Sequence, residues 1–200
     1  MDIEIRRLTP DLVEDYIRFF DETPHNQRHQ GAKCYCVYWC NDCCEGQDFR
    51  TKAARRNYAI RCVQSSKIQG YLAYCGDRVV GWCNANTKAD CLKCQGWQGM
   101  NGKRKGYIAT EENSPEIRVK AVFCFAIAPA VQRRGIATQL LDRVCQEAAQ
   151  EGYDFVEAYP DRIITEKSED FVGYAQMYER MGFSVYQETN RKLVMRKKLK

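Results

Sequence analysis

Apolar and charged residues alternate from Ile3 to Leu8, the period of a short, half-buried strand. Leu12, Val13, Tyr16, Ile17 and Phe20 then recur at intervals of one helical turn, which predicts an amphipathic helix over 10–20. Thr9-Pro10 supplies an N-cap and a first-turn proline in front of it. Residues 21–47 show no period and hold five cysteines. Residues 49–66 read as a basic helix. Segments 70–75 and 78–84 read as strands joined by the turn dipeptide Gly76-Asp77. From 88 to 115 the chain is polar and glycine-rich and reads as a long loop.

The pattern changes at Val119. Val119, Ala121, Val122, Phe123, Phe125, Ala126 and Ile127 make a nearly continuous apolar run, as in a strand buried on both faces. Pro129 ends it. Ile136, Leu140, Leu141, Val144 and Ala148 then carry a helix to about 151, where Gly152 stops it. Residues 155–159 form a strand, 171–181 a helix ending at Gly182, and 184–187 and 193–196 two last strands. The expected class is mixed α/β, as one domain over 1–200. It carries a Cys-rich insertion at about 31–47 and a long loop at about 86–115.

Composition narrows the partners. The 200 residues suffice for one sizeable domain, and 44% hydrophobic with 28% charged residues is a globular balance. A net charge of +5 suits an anionic ligand but is too weak and dispersed for nucleic acid. The Lys/Arg residues of 191–200 are read as the solvated face of a terminal strand. No apolar run approaches the ~18 residues of a membrane span, and residues 1–7 do not resemble a signal peptide, so a cytoplasmic location is expected. In a reducing compartment the 12 cysteines read as buried thiols or metal ligands rather than disulfides.

The segment Gln132-Arg133-Arg134-Gly135-Ile136-Ala137 joins the buried strand to the helix after it. A helix N-terminus presents unpaired N–H groups and a partial positive charge, and diphosphate binds there readily. Gly135 removes a Cβ that would obstruct phosphate, Ala137 keeps the first turn small, and Thr138 adds a hydroxyl. Arg133 and Arg134 add charged donors. Taken alone, the loop reads equally well as an ordinary strand-to-helix turn.

The pattern Gln-x-x-Gly-x-Ala, placed between such a strand and helix, resembles the GNAT superfamily of N-acetyltransferases. Residues 121–149 are similar to that family's fourth strand and third helix. Tyr178-Glu179-Arg180-Met181-Gly182-Phe183 is similar to its Tyr-x-x-x-Gly-Phe signature. The resemblance is carried by about residues 118–187. It implies a central, mostly antiparallel mixed sheet with a splayed strand pair, flanked by helices. It also implies acetyl-CoA as cosubstrate. The amides of Gln132, Arg133, Arg134, Gly135, Ile136 and Ala137, beside Thr138, would hold its pyrophosphate. The backbone of Phe125, Ala126 and Ile127 would pair with its pantetheine arm. Tyr178 would act as general acid toward the leaving thiolate, with Tyr174 as a second candidate. Two positions depart from the family pattern: Val172 stands where many members carry Asn, and Ala121 where some carry a basic Glu. Glu116 and Glu157 are the substitutes considered for that base, beside a water chain or an amine that arrives neutral.

Tyr38, Trp39, Trp82 and Asn84 are expected near the acceptor, Trp82 and Asn84 sharing one strand face. The function so implied is acetyl transfer to a primary amine of a small molecule or peptide, by direct attack in a ternary complex. No metal, nucleic acid or membrane is required, and the chain is expected to be a monomer or homodimer. Two rival readings are a non-catalytic acyl-CoA-binding module and a cysteine-rich zinc or redox interaction protein. The C-x-x-C pairs Cys40/Cys43 and Cys91/Cys94 would supply the zinc site.

Overall fold

A computed structural model describes residues 1–23, 33–41, 49–111, 114, 116–164 and 170–200. Its centre is a seven-stranded sheet of β1 (Glu4–Arg7), β2 (Gly70–Cys75), β3 (Arg78–Thr87), β4 (Val119–Ile127), β5 (Phe155–Ala158), β6 (Ser184–Glu188) and β7 (Leu193–Lys198). The spatial order is β1-β2-β3-β4-β5-β7-β6. Every neighbouring pair is antiparallel except β4–β5, which is parallel. The helices are α1 (Val13–Glu22), α2 (Lys52–Gln64), α3 (Lys88–Cys91), α4 (Gln95–Met100), α5 (Ile136–Gln150) and α6 (Ala175–Arg180). The parallel pair exists because β4 and β5 are joined by a crossover through α5, and a tight turn cannot make that connection.

Alternation along the strands sorts the core into two layers. Leu72, Tyr74 and Trp82 pack with Tyr16, Phe20 and Tyr58 of α1 and α2. Tyr71, Ala73 and Cys83 face the other way, onto Ile136, Leu140 and Val144 of α5. β4 serves both layers, which explains its unbroken apolar run. Its alternation fails once. Asn84 pairs with Cys124 but Ala85 with Val122, so Phe123 is an extra residue, a β-bulge. Phe123 and Cys124 therefore lie on the same side of the sheet. Phe123 swings into a third cluster with Cys91, Cys94, Trp97 and Tyr159.

That third cluster corrects one expectation. Residues 88–115 contain α3 and α4, with Cys91, Cys94 and Trp97 buried. These helices are too short to show a period, so the polar composition hid them. The helix expected over 171–181 is also divided. A turn of 3-10 helix covers Asp170–Val172, Gly173 takes φ +73, and α6 begins only at Ala175. β3 runs three residues beyond the expected strand, to Thr87. The start of α2 has a plain local cause: the Thr51 side chain accepts a bond from Ala54 N at 3.1 Å, an N-cap.

Candidate functional site

β4 and β5 pair from Val119↔Phe155 to Val122↔Ala158 and no further. Beyond that point β4 continues beside β3 alone, so the sheet opens into a gap. Only alternate residues of an antiparallel strand bond a given neighbour. Ala128 N donates to Val80 O at 2.9 Å, so Ala126 turns its backbone to β3 while Phe125 and Ile127 turn theirs to the gap. Gln132 Nε2 reaches back to Ile127 O at 3.2 Å. Among the described residues no strand faces Phe125 there. Backbone groups left this way need a partner, and an extended amide ligand supplies one.

The gap leads to the start of α5. A 3-10 turn at Pro129–Val131 ends β4, Arg133 takes φ +60, and Gly135 takes φ +79 as N-cap of the helix. No side chain caps α5, and its first bond is Gln139 N to Gly135 O at 3.0 Å. The amides of Ile136, Ala137 and Thr138 thus point out of the helix end, next to exposed Arg133 and Arg134. Ile136 itself is buried and pins the helix to the sheet. A Cβ added to Gly135 would meet no protein atom within 4 Å, so the protein itself demands glycine there for its φ, not for space.

On the far side of the gap stands Tyr178. It is fully buried, its ring lies edge-on to Phe183, and its hydroxyl donates to Val172 O at 2.8 Å. Burial pushes its phenol well above the usual tyrosine value. Gly173 lets the chain pass close: a Cβ there would come within 3.1 Å of the Tyr178 hydroxyl. Val172, in the expected Asn position, therefore offers a backbone acceptor instead. Tyr174 does not share Tyr178's helix face; it is the extended N-cap of α6 and is half exposed.

The two candidate bases fall in different places. Glu116 is exposed on a turn before β4, at the closed end of the β4–β5 pair. Glu157 lies beside Ala121 in register and is fully buried. It accepts from Tyr159 Oη at 2.7 Å, pairs with Lys88 Nζ at 2.8 Å, and pairs with Arg196. Lys88 also lies 3.3 Å from Glu111, and Arg196 reaches Glu111 as well. Glu157 is thus neither solvated nor idle; its oxygens are held by three donors. Sequence reading missed Lys88, Glu111, Tyr159 and Arg196 because they lie far apart along the chain and carry no spacing signal.

The acceptor candidates separate. Trp39 stacks on Phe123 with centroids 4.1 Å apart, and Phe123 stacks in turn on Tyr159 at 5.6 Å. Trp39 also walls a cavity of about 420 Å³ that is lined further by Asn41, Asn86, Asp90, Cys91 and Cys94. Tyr38 is half-buried against Phe49. Trp82 is a core residue, enclosed by Tyr16 and Phe20, and donates from Nε1 to Cys36 Sγ at 3.2 Å. Asn84 is fully buried; its Oδ1 accepts from Asn86 at 2.7 Å while its Nδ2 has no partner. Among the described residues that donor is unsatisfied, and a buried donor needs a partner. Cys40, Cys91 and Cys94 line the same cavity, and Cys43 lies outside the described residues. Among the described residues no three His, Cys, Asp or Glu side chains come close enough together to hold a metal ion. Nor, among them, is any helix long and apolar enough to cross a membrane.

Comparison with known proteins identifies the family and the fold. Residues 66–185 match the model of the acetyltransferase (GNAT) domain. An N-acetyltransferase from Staphylococcus aureus Mu50 superposes with TM-score 0.56 at 12% identity, covering 100% of both chains. A PaiA N-acetyltransferase from Thermoplasma acidophilum, solved with coenzyme A, gives 0.50 at 15% identity over 99% of each chain. A Drosophila melanogaster polyamine N-acetyltransferase that forms N-acetylagmatine gives 0.53 at 14% identity over 98% of each. A sequence search of curated proteins finds no match.

Proposed function

The chain belongs to the GNAT acetyltransferase family, and from that premise we propose that it moves an acetyl group from acetyl-CoA to a primary amine in a ternary complex. One observation carries this reading. The uncapped N-terminus of α5 stands at the end of a β4 edge whose Phe125 and Ile127 backbone is turned to an open gap. The two features suit the two halves of coenzyme A, a diphosphate and an amide-bearing arm.

Bound there, acetyl-CoA supplies an acyl group activated as a thioester. The amides of Gly135, Ile136 and Ala137, with Arg133 and Arg134, hold the phosphates. Phe125 and Ile127 orient the arm, and the parted strands exclude water from it. Tyr178 carries the proton for the departing thiolate. To deliver it, the hydroxyl leaves Val172 O, and its raised pKa keeps it protonated until then. With Glu157 fully engaged and Glu116 exposed, the acceptor's proton leaves through water or is lost before binding. The acceptor enters on the α1–α2 side, beside Tyr38 and Trp39, where the free amide of Asn84 can bind it.

Isothermal calorimetry tests the reading, and saturable acetyl-CoA binding at micromolar to millimolar ligand is expected. Absence of binding at millimolar acetyl-CoA overturns it. A second reading, a non-catalytic acyl-CoA-binding module, is favoured by the engagement of Tyr178 with Val172 and by Ala121 in β4. Thiol release from acetyl-CoA with a panel of amines separates the two.

A further inference from the structure

We propose that Cys36 and Cys124 form an oxidative modification site, a reversible disulfide that displaces β4 and slows acetyl transfer. The functional part of this inference rests on the reading above. The two sulfurs lie 3.0 Å apart across 88 residues of chain. Both are buried, at 2% and 6% exposure. Trp82 Nε1 holds the Cys36 sulfur in place from 3.2 Å. Tyr35 and Cys36 both take φ +48, a left-handed conformation that ordinary side chains avoid, so tertiary contacts fix this turn against β4. One of those contacts is the Tyr16 hydroxyl donating to Tyr35 O at 2.9 Å.

Cys124's location makes the pair consequential. It follows the bulged Phe123 and precedes Phe125, whose backbone faces the gap. Other thiols approach one another, Cys40 toward Cys62, Cys91 toward Cys94 and Cys34 toward Cys36, but in none of these pairs does a partner sit in β4. A disulfide needs sulfurs about 2.05 Å apart, so closure moves them by about 1 Å. The bulge interrupts the β3–β4 register beside Cys124 and takes up that movement. A shift of that size in a strand that positions substrate costs on the order of tenfold to a hundredfold in rate.

The chemistry balances with a peroxide as oxidant. One thiol attacks H₂O₂, an S–O bond forms, the O–O bond breaks, and water leaves. The second thiol attacks that sulfur, the S–S bond forms, and a second water leaves. The two sulfurs are oxidised and the peroxide oxygens reduced. The Cys124 contact raises Cys36 against the lowering effect of Cys34, with burial adding to the rise; at Cys124 the Cys36 contact lowers and burial raises, and the net shift is upward. Oxidation is therefore slow and waits on opening of the 33–41 segment.

The test treats the full chain with hydrogen peroxide, blocks remaining thiols and maps the digest without reduction. The expected product is a Cys36–Cys124 peptide pair lighter by two hydrogens, absent from Cys36→Ser. Acetyl-CoA-dependent thiol release should fall about tenfold or more in the oxidised protein, recover with dithiothreitol, and persist in peroxide-treated Cys36→Ser. Unlinked Cys36 and Cys124, or links to other cysteines instead, overturn the site. A linked pair with unchanged turnover overturns its effect. If Cys36→Ser does not fold, the wild-type peptide map and its reversal by reductant still decide. If the reduced protein neither binds nor turns over acetyl-CoA, the functional reading fails separately, and the linked peptide alone decides the site.

Discussion

Gly135 and Tyr178 are single residues whose replacement separates cofactor holding from chemistry. Gly135→Glu forces a side chain into φ +79, which costs about 1 kcal/mol. A carboxylate at a helix N-terminus returns about 0.3–1 kcal/mol. The melting temperature should therefore barely move, while the new charge and bulk block the phosphates and abolish acetyl-CoA binding by calorimetry. Retained binding would remove the loop from the site. Tyr178→Phe leaves Val172 O without its donor, at about 1–3 kcal/mol of stability. Turnover should fall by ~10² while acetyl-CoA affinity holds; a large loss of affinity instead would recast Tyr178 as a packing residue. At Asn84, whose Nδ2 has no partner among the described residues, Asn84→Ala should raise the acceptor's KM and leave that of acetyl-CoA unchanged. An unchanged acceptor KM would assign the orphan amide elsewhere.

Among the elements, the parting of β4 from β5 decides where the site lies, and a buried ionic cluster anchors the closed side. Lys88 from α3, Glu157 from β5, Arg196 from β7 and Glu111 tie four separate segments together. Removing one partner of a buried pair leaves an uncompensated charge, so Lys88→Met should cost about 3–5 kcal/mol in urea unfolding. The double variant Lys88→Met/Glu157→Leu leaves Arg196 with Glu111 and should recover most of that loss. Two additive losses would show that the pair is not coupled. Elements with a long apolar period, β4 and α5, were legible in the sequence within a residue or two. The helices α3 and α4 were not, since four to six residues give no period and Trp97 is buried by tertiary packing alone. Gly173 broke the expected 171–181 helix because the chain there must pass the Tyr178 hydroxyl, a long-range demand that no local pattern carries.

At the scale of the whole molecule, the proposed donor side lies along one stretch of sequence and the proposed acceptor side does not. The donor side is built from one contiguous stretch, β4 to α5. The residues proposed for the acceptor, Tyr38, Trp39 and Asn84, come from separate segments. Trp82 was misplaced for the same reason: alternation gave its face correctly, but only α1 and Cys36 determine that this face is closed. The cysteines, too, acquire their meaning only from the whole fold, and they set its response to pH. Hydrogen bonding to Cys124, Cys62 and Cys94, with burial, raises Cys36, Cys40 and Cys91 respectively. Burial, with the nearby Cys36 and Cys145 thiols, raises Cys83, and burial pushes Cys145 up to about 11. In the unfolded chain these thiols ionise near 8.5. Below that value both states hold the protons, and the stabilisation is fully present. Above it the unfolded chain releases protons that the folded chain keeps, so stability falls with rising pH until the folded pKa is passed. Each thiol contributes up to ~1.4 kcal/mol per pH unit until its folded pKa is reached. Circular dichroism melts under reductant between pH 7 and 11 should show a plateau to about pH 8.5 and then a steep descent. Cys83→Ala and Cys145→Ala should each shallow the descent. A reduced protein that keeps its melting temperature to pH 11 would mean that these thiols ionise in the folded state as readily as in the unfolded one.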